Sequence, residues 1–222
     1  IGTKVSRRIM KTEDLVSLLA AGVPAIDHNV SAKRFGWAML CGGVGSTVLM
    51  TIVYGVRPDI GAAMKLPLFW IKLALPVCLT LAALLATARL SRPGFAVGRA
   101  WAALAAPVLA VWIATLVLLW LAPPGARLPL VMGNTWRVCP RNIALLSVPV
   151  FITVFWAMRG LAPTRLRLAG AAGGLLAGAT AAIAYCFHCP EMGVPFWAVW
   201  YLLGMLIPTL AGVALGPRLL NW

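Results

Sequence analysis

The chain has 222 residues, of which 62% are hydrophobic and only 11% charged, with a formal net charge of +14. Soluble domains carry roughly one-quarter charged residues, so composition excludes an ordinary water-soluble fold. A basic excess that would suggest nucleic acid in a soluble protein is here read as membrane topology, and no direct nucleic-acid partner is expected.

Met10 followed by Lys11-Thr12-Glu13-Asp14-Leu15 reads as a natural start, with residues 1–9 an upstream extension or an addition ahead of it. Residues 10–35 form the one substantial piece outside the membrane. Thr12 can cap a helix, and Glu13 and Asp14 suit its first turn, where the backbone dipole favours negative charge. Leu15, Leu18 and Leu19 fall on one face at helical spacing, and Gly22-Val23-Pro24 ends the helix. So short a helix is marginal alone and needs a cover for its leucines. Either it lies on the bilayer or the loops, or it docks into a groove on a cytoplasmic partner.

Apolar runs then occupy 36–56, 66–88, 101–122, 143–158, 168–187 and 195–216. Most reach the roughly 17–25 residues that cross a ~30 Å hydrocarbon core as helix. The fourth is short and is expected to extend outward through Pro140 or to sit in a thinned bilayer. No secretory signal peptide is visible, because the first run is too long and too far from the N-terminus. The expected fold is an all-α integral membrane protein, a six-transmembrane-helix bundle over 36–222. Short loops imply three sequential antiparallel helix pairs. Of the 19 lysines and arginines, only Arg57, Lys65, Arg127, Arg137 and Arg141 fall on one side, with Lys72 inside a span. The rest lie opposite, which sets both termini on the inner side of the membrane.

Gly170, Gly174 and Gly178 recur every four residues in the fifth span, and Gly212 and Gly216 repeat that interval in the sixth. Small residues so spaced let backbones approach closely, which predicts a tight pairing of these helices. The same ridges could instead serve a homodimer.

Of the five cysteines, Cys41 and Cys78 fall within spans and read as inert core. Cys139, Cys186 and Cys189 gather at the outer face, the last two within Cys186-Phe187-His188-Cys189-Pro190-Glu191. Exposed thiols in an oxidising compartment pair or bind soft metals. Three thiols leave every pairing open, a structural disulfide included. With His188 and Met192, Cys139 and Cys189 offer donors suited to Cu(I) or Zn. Cys186 and Cys189 also have the spacing of a thiol-disulfide oxidoreductase. However, Cys186 lies near the negative C-terminal end of its helix, the wrong end for a reactive thiolate. Lys72, roughly 9 Å from the outer start of its helix, is expected to snorkel to the interface, with a buried role as the alternative. Phe196, Trp197, Trp200 and Tyr201 read as interfacial aromatics. The spans offer almost no other polar groups, which argues against a small transporter.

The Met10–Leu15 opening, the apolar spans and Trp136-x-x-Cys139 before the fourth span make one pattern with several later pieces. Those pieces are Ala162-Pro163-Thr164, Ala169-Gly170, Cys189-Pro190-Glu191, Pro195-Phe196, Trp200-Tyr201 and Gly204. In their order and spacing they resemble the bacterial anti-sigma factors called negative regulator of sigma F. The resemblance covers nearly the whole chain from Met10. It implies an inner-membrane protein, not an enzyme, that holds an extracytoplasmic-function sigma factor inactive in a stress response. It also implies two sensing cysteines on the periplasmic side, matching Cys139 and Cys189 by position. Cys186 is an addition to that pattern, and the ending Leu219-Leu220-Asn221-Trp222 departs from the arginine-tryptophan ending the family suggests. On this reading Leu15, Leu18 and Leu19, with Glu13 and Asp14, bind the sigma factor, and oxidant or a copper-like metal acts at Cys139 and Cys189.

Overall fold

A computed structural model describes residues 11–21, 29–92, 98, 100–161 and 163–221. Residues 1–9 and the polar stretch around Asp27 and His28 lie outside the described residues, as do Arg99, Ala162 and the side chains of Leu18 and Leu19. The chain divides into two compact units, Ile1–Val30 and Ser31–Trp222.

In the first unit, helix α1 spans Thr12–Ala21 with Glu13 and Asp14 in its first turn. Lys11, not Thr12, precedes it, and the Lys11 carbonyl accepts from the Asp14 and Leu15 amides. The cap therefore sits one residue earlier than expected, an offset common at frayed helix ends. Leu15 and Val16 are exposed.

The second unit is all-helical among the described residues. Its long helices are α2 (Val30–Val53), α4 (Pro67–Leu90), α5 (Ala100–Leu121), α7 (Cys139–Arg159) and α8 (Leu166–Cys186). A sixth span, Val194–Leu219, is composite. It consists of α9 (Val194–Phe196), a π-helical turn (Trp197–Tyr201) and α10 (Leu202–Leu219). These six are long and apolar enough to cross a membrane. Helix α2 starts before the expected 36, with Asn29 just ahead of it, a residue that favours helix initiation. Helix α7 extends outward as anticipated: Pro140 sits in its first turn, where the missing N–H costs nothing. Two short helices, α3 (Ile60–Ala63) and α6 (Pro124–Met132), occupy connections read as plain loops.

Three separate helix couples do not describe the packing. Helix α8 is a hub against which α4, α7 and α10 all pack, and α5 leans on α4. In α8, 72% of the apolar window is buried inside the protein, against 11% in α5. The physical reason is side-chain size. Alanines and glycines all round α8 give it three approachable faces, whereas α5 presents Leu116, Trp120 and Leu121 outward.

The α8–α10 contact is the most extensive. A Cβ on Gly170 would strike the Gly212 carbonyl, and one on Gly174 the Pro208 carbonyl. One on Gly178 would lie 3.0 Å from the Met205 Cα. Gly212 and Gly216 face back onto the Gly170 and Leu166 carbonyls. The ridges are consumed within one chain. Helix α2 meets α7 in a similar way: Gly42 lies against Val150, and Thr153 Oγ1 donates to the Ala38 carbonyl at 2.8 Å. Cys41 and Cys78 differ from expectation. Both face outward from the bundle rather than into its core.

Because backbone cannot yield at the Gly174 contact, Gly174→Ala should destabilise the bundle by on the order of 1–3 kcal/mol. Gly36→Ala, with nothing within 4 Å of its Cβ, should be neutral or stabilising by up to about 1 kcal/mol. Equilibrium unfolding in mixed micelles checks both; equal losses would refute the close-packing account.

Candidate functional site

The predicted thiols converge at one end of the bundle. Cys139 begins α7, Cys186 ends α8, and Cys189 follows in the connection to α9. All three are fully buried in one apolar cluster with Tyr185, Trp197 and Tyr201. All five cysteines are unpaired thiols in this structure. The Tyr185 side chain lies beside Cys139 and Asn142. The Tyr201 hydroxyl faces Cys186 and Cys189 without a well-formed hydrogen bond, and the Asn142 carbonyl oxygen also lacks one.

Lys72 does not snorkel. Its side chain is fully buried, and Nζ donates to the Cys189 carbonyl at 2.7 Å and the Glu191 carbonyl at 2.9 Å. The ring of Tyr201 lies 5.5 Å from the same ammonium. The reason is local. After Cys186 the chain leaves helical geometry, so the Cys189 and Glu191 carbonyls have no backbone partner and offer a buried cation the acceptors that lipid cannot. Arg57, 8% exposed, approaches from the α2–α3 connection and donates to the Cys189 carbonyl at 3.3 Å. Its guanidinium also forks onto Asp59, at 2.7 Å from Nε and 2.6 Å from Nη2.

Glu191 closes the site on the other side. Its Oε1 accepts from the Asn134 amide at 2.7 Å and the Thr135 amide at 3.2 Å, just before α7. Trp197 Nε1 reaches the Glu191 carbonyl at 3.3 Å, and Trp200 Nε1 donates to Val131 at 2.8 Å. The π-helical turn makes this possible. A widened turn re-aims side chains, here burying Trp197 and Tyr201 while Trp200 reaches toward α6. Phe196, Trp197 and Tyr201 are thus buried site walls, not an interfacial belt.

Among the described residues no three His, Cys, Asp or Glu side chains converge on a metal-sized point. His188 Nδ1 lies 3.0 Å from the Gly55 carbonyl, which can only accept, so this nitrogen carries the proton. The His188 ring packs against Tyr54 and Tyr185, and the Met192 sulfur sits 3.9 Å from Arg57. The four expected metal donors Cys139, Cys189, His188 and Met192 share a neighbourhood, but Cys139, Cys189 and His188 do not converge on one point.

What sequence reasoning missed are Arg57, Asn142, Tyr185 and Glu191, together with the inward roles of Trp197 and Tyr201. One signal existed: a lone lysine in an apolar span requires acceptors, and the non-helical Cys189-Pro190-Glu191 stretch at the same predicted depth supplies them.

The profile of the family described as negative regulator of sigma F matches residues 19–222. The chain belongs to this family. A probable anti-sigma-F factor, NrsF, from Azospira oryzae is 51% identical over 213 residues, covering 96% of this chain and 100% of the relative. The anti-sigma-F factor NrsF of Caulobacter vibrioides is 38% identical over 214 residues, again covering 96% of this chain and 100% of the relative. No solved structure matches the chain. Negative regulators of sigma F form a regulatory family, not a family of enzymes, which sets aside the oxidoreductase reading of Cys186 and Cys189.

The Arg57–Asp59 pair gives the site a pH signature. Hydrogen bonding to Arg57 holds the Asp59 carboxyl below its ordinary value of 3.8. A depressed carboxylate contributes to stability above the ordinary value and loses that contribution as pH falls through the lower, folded one. In a sample carrying 13C-labelled aspartate, Asp59 should titrate below 3.8, and Arg57→Gln should return it to the ordinary range. An unchanged titration in that variant would dismiss the pair.

Proposed function

We propose that the chain is a membrane anti-sigma factor of the bacterial inner membrane, with both termini in the cytoplasm and the buried thiol cluster on the periplasmic side. Its partner is an extracytoplasmic-function sigma factor, held inactive until the thiols react. The sided distribution of lysine and arginine supports this orientation. The relatives named anti-sigma-F factors support the partner class.

The observation that carries the sensing role is the meeting of thiols from two distant stretches of chain. Cys139 leads α7, Cys186 closes α8 and Cys189 sits in the following connection, all buried together. A bond between Cys139 and Cys189 would tie the start of α7 to that connection. Two thiols would lose two protons and two electrons to a two-electron oxidant as the S–S bond forms. Moving a two-state protein from 1:99 to 99:1 takes ~5.5 kcal/mol of differential stabilisation. A covalent cross-link is of that order, whereas an exposed ion pair is not. Oxidation is preferred to Cu(I) or Zn binding because no three His, Cys, Asp or Glu side chains among the described residues converge on one point.

On the cytoplasmic side α1 is the docking element. Leu15 is 44% exposed and Val16 59% exposed, an apolar face that a partner groove would cover. Leu15, with Leu18 and Leu19, anchors the helix, and Glu13 and Asp14 face the partner's basic groups.

Cys139→Ser or Cys189→Ser should abolish release of the sigma factor by oxidant while the protein still inserts, as read by a sigma-dependent reporter. A normal response in both variants would remove the thiols as sensor. Deleting residues 10–30 should free the sigma factor without disturbing the bundle. Pull-down from membranes checks this, and continued co-purification would move the docking surface to the inner loops.

A further inference from the structure

The reactive groups of the thiol site are inaccessible as the fold stands: Cys139, Cys186 and Cys189 all have 0% exposure. A reagent arriving from water meets them only if part of the wall moves. Cys139 and Cys186 are fixed in the terminal turns of α7 and α8, whose backbones are bonded internally. Cys189-Pro190-Glu191-Met192 is outside any helix. It is the piece of wall with the fewest backbone bonds of its own, and long-range side chains hold it in place.

Those anchors are unequal. Lys72 makes two charge-assisted bonds to the segment, to the Cys189 carbonyl at 2.7 Å and the Glu191 carbonyl at 2.9 Å. Each carbonyl also has a second, longer donor: Arg57 Nη1 on Cys189 at 3.3 Å and Trp197 Nε1 on Glu191 at 3.3 Å. The Glu191 carboxylate pins the segment to Asn134 and Thr135. Near the site, Asp59 is taken by Arg57 and Glu191 by those two amides, and among the described residues no carboxylate forms an ion pair with Lys72, whose hydrogen-bond partners are carbonyl dipoles. Two carbonyls and the Tyr201 face satisfy it, and lipid offers no substitute. A buried cation of this kind binds its acceptors strongly and is costly to strand.

We infer that Lys72 is a positioning residue that latches the Cys189–Met192 segment over the thiol cluster and thereby sets how fast the cysteines can be reached. This rests on the sensing role proposed for Cys139 and Cys189 and adds the gate through which a stimulus acts. Local opening of the segment exposes Cys189 first, because Cys189 is on the moving piece. Cys186 stays within α8. Since both carbonyls keep a second donor, removing the ammonium loosens the segment without unfolding the bundle.

The test is site-resolved alkylation. The full chain, with Cys41→Ser and Cys78→Ser so that every remaining thiol belongs to the cluster, is reconstituted in lipid nanodiscs and treated with N-ethylmaleimide. Mass spectrometry follows each cysteine with time. Lys72→Met, which removes both charge-assisted hydrogen bonds, should speed labelling of Cys189 by about tenfold or more, with Cys186 lagging behind. Glu191→Ala, which releases the opposite edge, should accelerate Cys189 in the same order. Unchanged rates in Lys72→Met would overturn the latch. So would equal acceleration at Cys186, which would mean that Lys72 only holds the bundle together. The assay uses neither stimulus nor sigma factor. A failed latch therefore leaves the Cys139→Ser and Cys189→Ser result standing, and a failed sensor leaves the labelling result standing.

Discussion

Inside a bilayer, hydrocarbon surrounds a helix on every side, so nothing drives one apolar helix against another except close contact and polar bonds. The structure meets that constraint through α8. Its glycines and alanines let α4, α7 and α10 approach until backbone meets backbone, as at Gly174 against Pro208 and Gly170 against Gly212. Everything else hangs from this rod. Helix α7 is placed by α8, helix α2 by α7, and helix α5 by α4. The ends of α7 and α8 come together with Cys139 and Cys186 as a consequence of that packing.

Where α8 stops, the logic changes from size to charge. The connection to α9 leaves helical geometry and exposes carbonyls that apolar neighbours cannot satisfy. Lys72 and Arg57 answer that need from α4 and from the α2–α3 connection, both converging on the Cys189 carbonyl. The cations and the carbonyls explain each other. Neither would be tolerable in a dry interior alone. Three thiols sit against this polar knot, so a change in their bonding acts on the least self-supporting part of the bundle.

The two ends of the molecule are also joined by one element. Helix α7 starts at Cys139 and ends at Arg159, where Gly160 leaves room for the Arg34 guanidinium from the first turns of α2. Arg34 stacks toward Trp156, 6.0 Å from its ring. Thr153 ties the same pair of helices half-way along. The first turns of α2 thus share a seam with the helix that carries Cys139 at its head.

Much of this was readable in the residues. Apolar runs of spanning length leave the backbone no choice but helix, because lipid supplies no hydrogen bonds. Glycines every fourth residue announced the α8–α10 contact. The order of Trp136, Cys139, Cys189, Pro190 and Glu191 was enough to suggest the family. These are local or periodic properties, and a one-dimensional chain displays them directly. Which helices meet depends instead on competing side-chain volumes in three dimensions, and so the hub arrangement replaced three sequential couples. Lys72 shows the same divide. Its sequence context allowed snorkelling or burial, and the outcome turned on acceptors lying more than a hundred residues away in the chain. The π-helical turn at Trp197–Tyr201 likewise has no periodic signature; it is settled by which way buried aromatics must face once α7, α8 and α10 are in place.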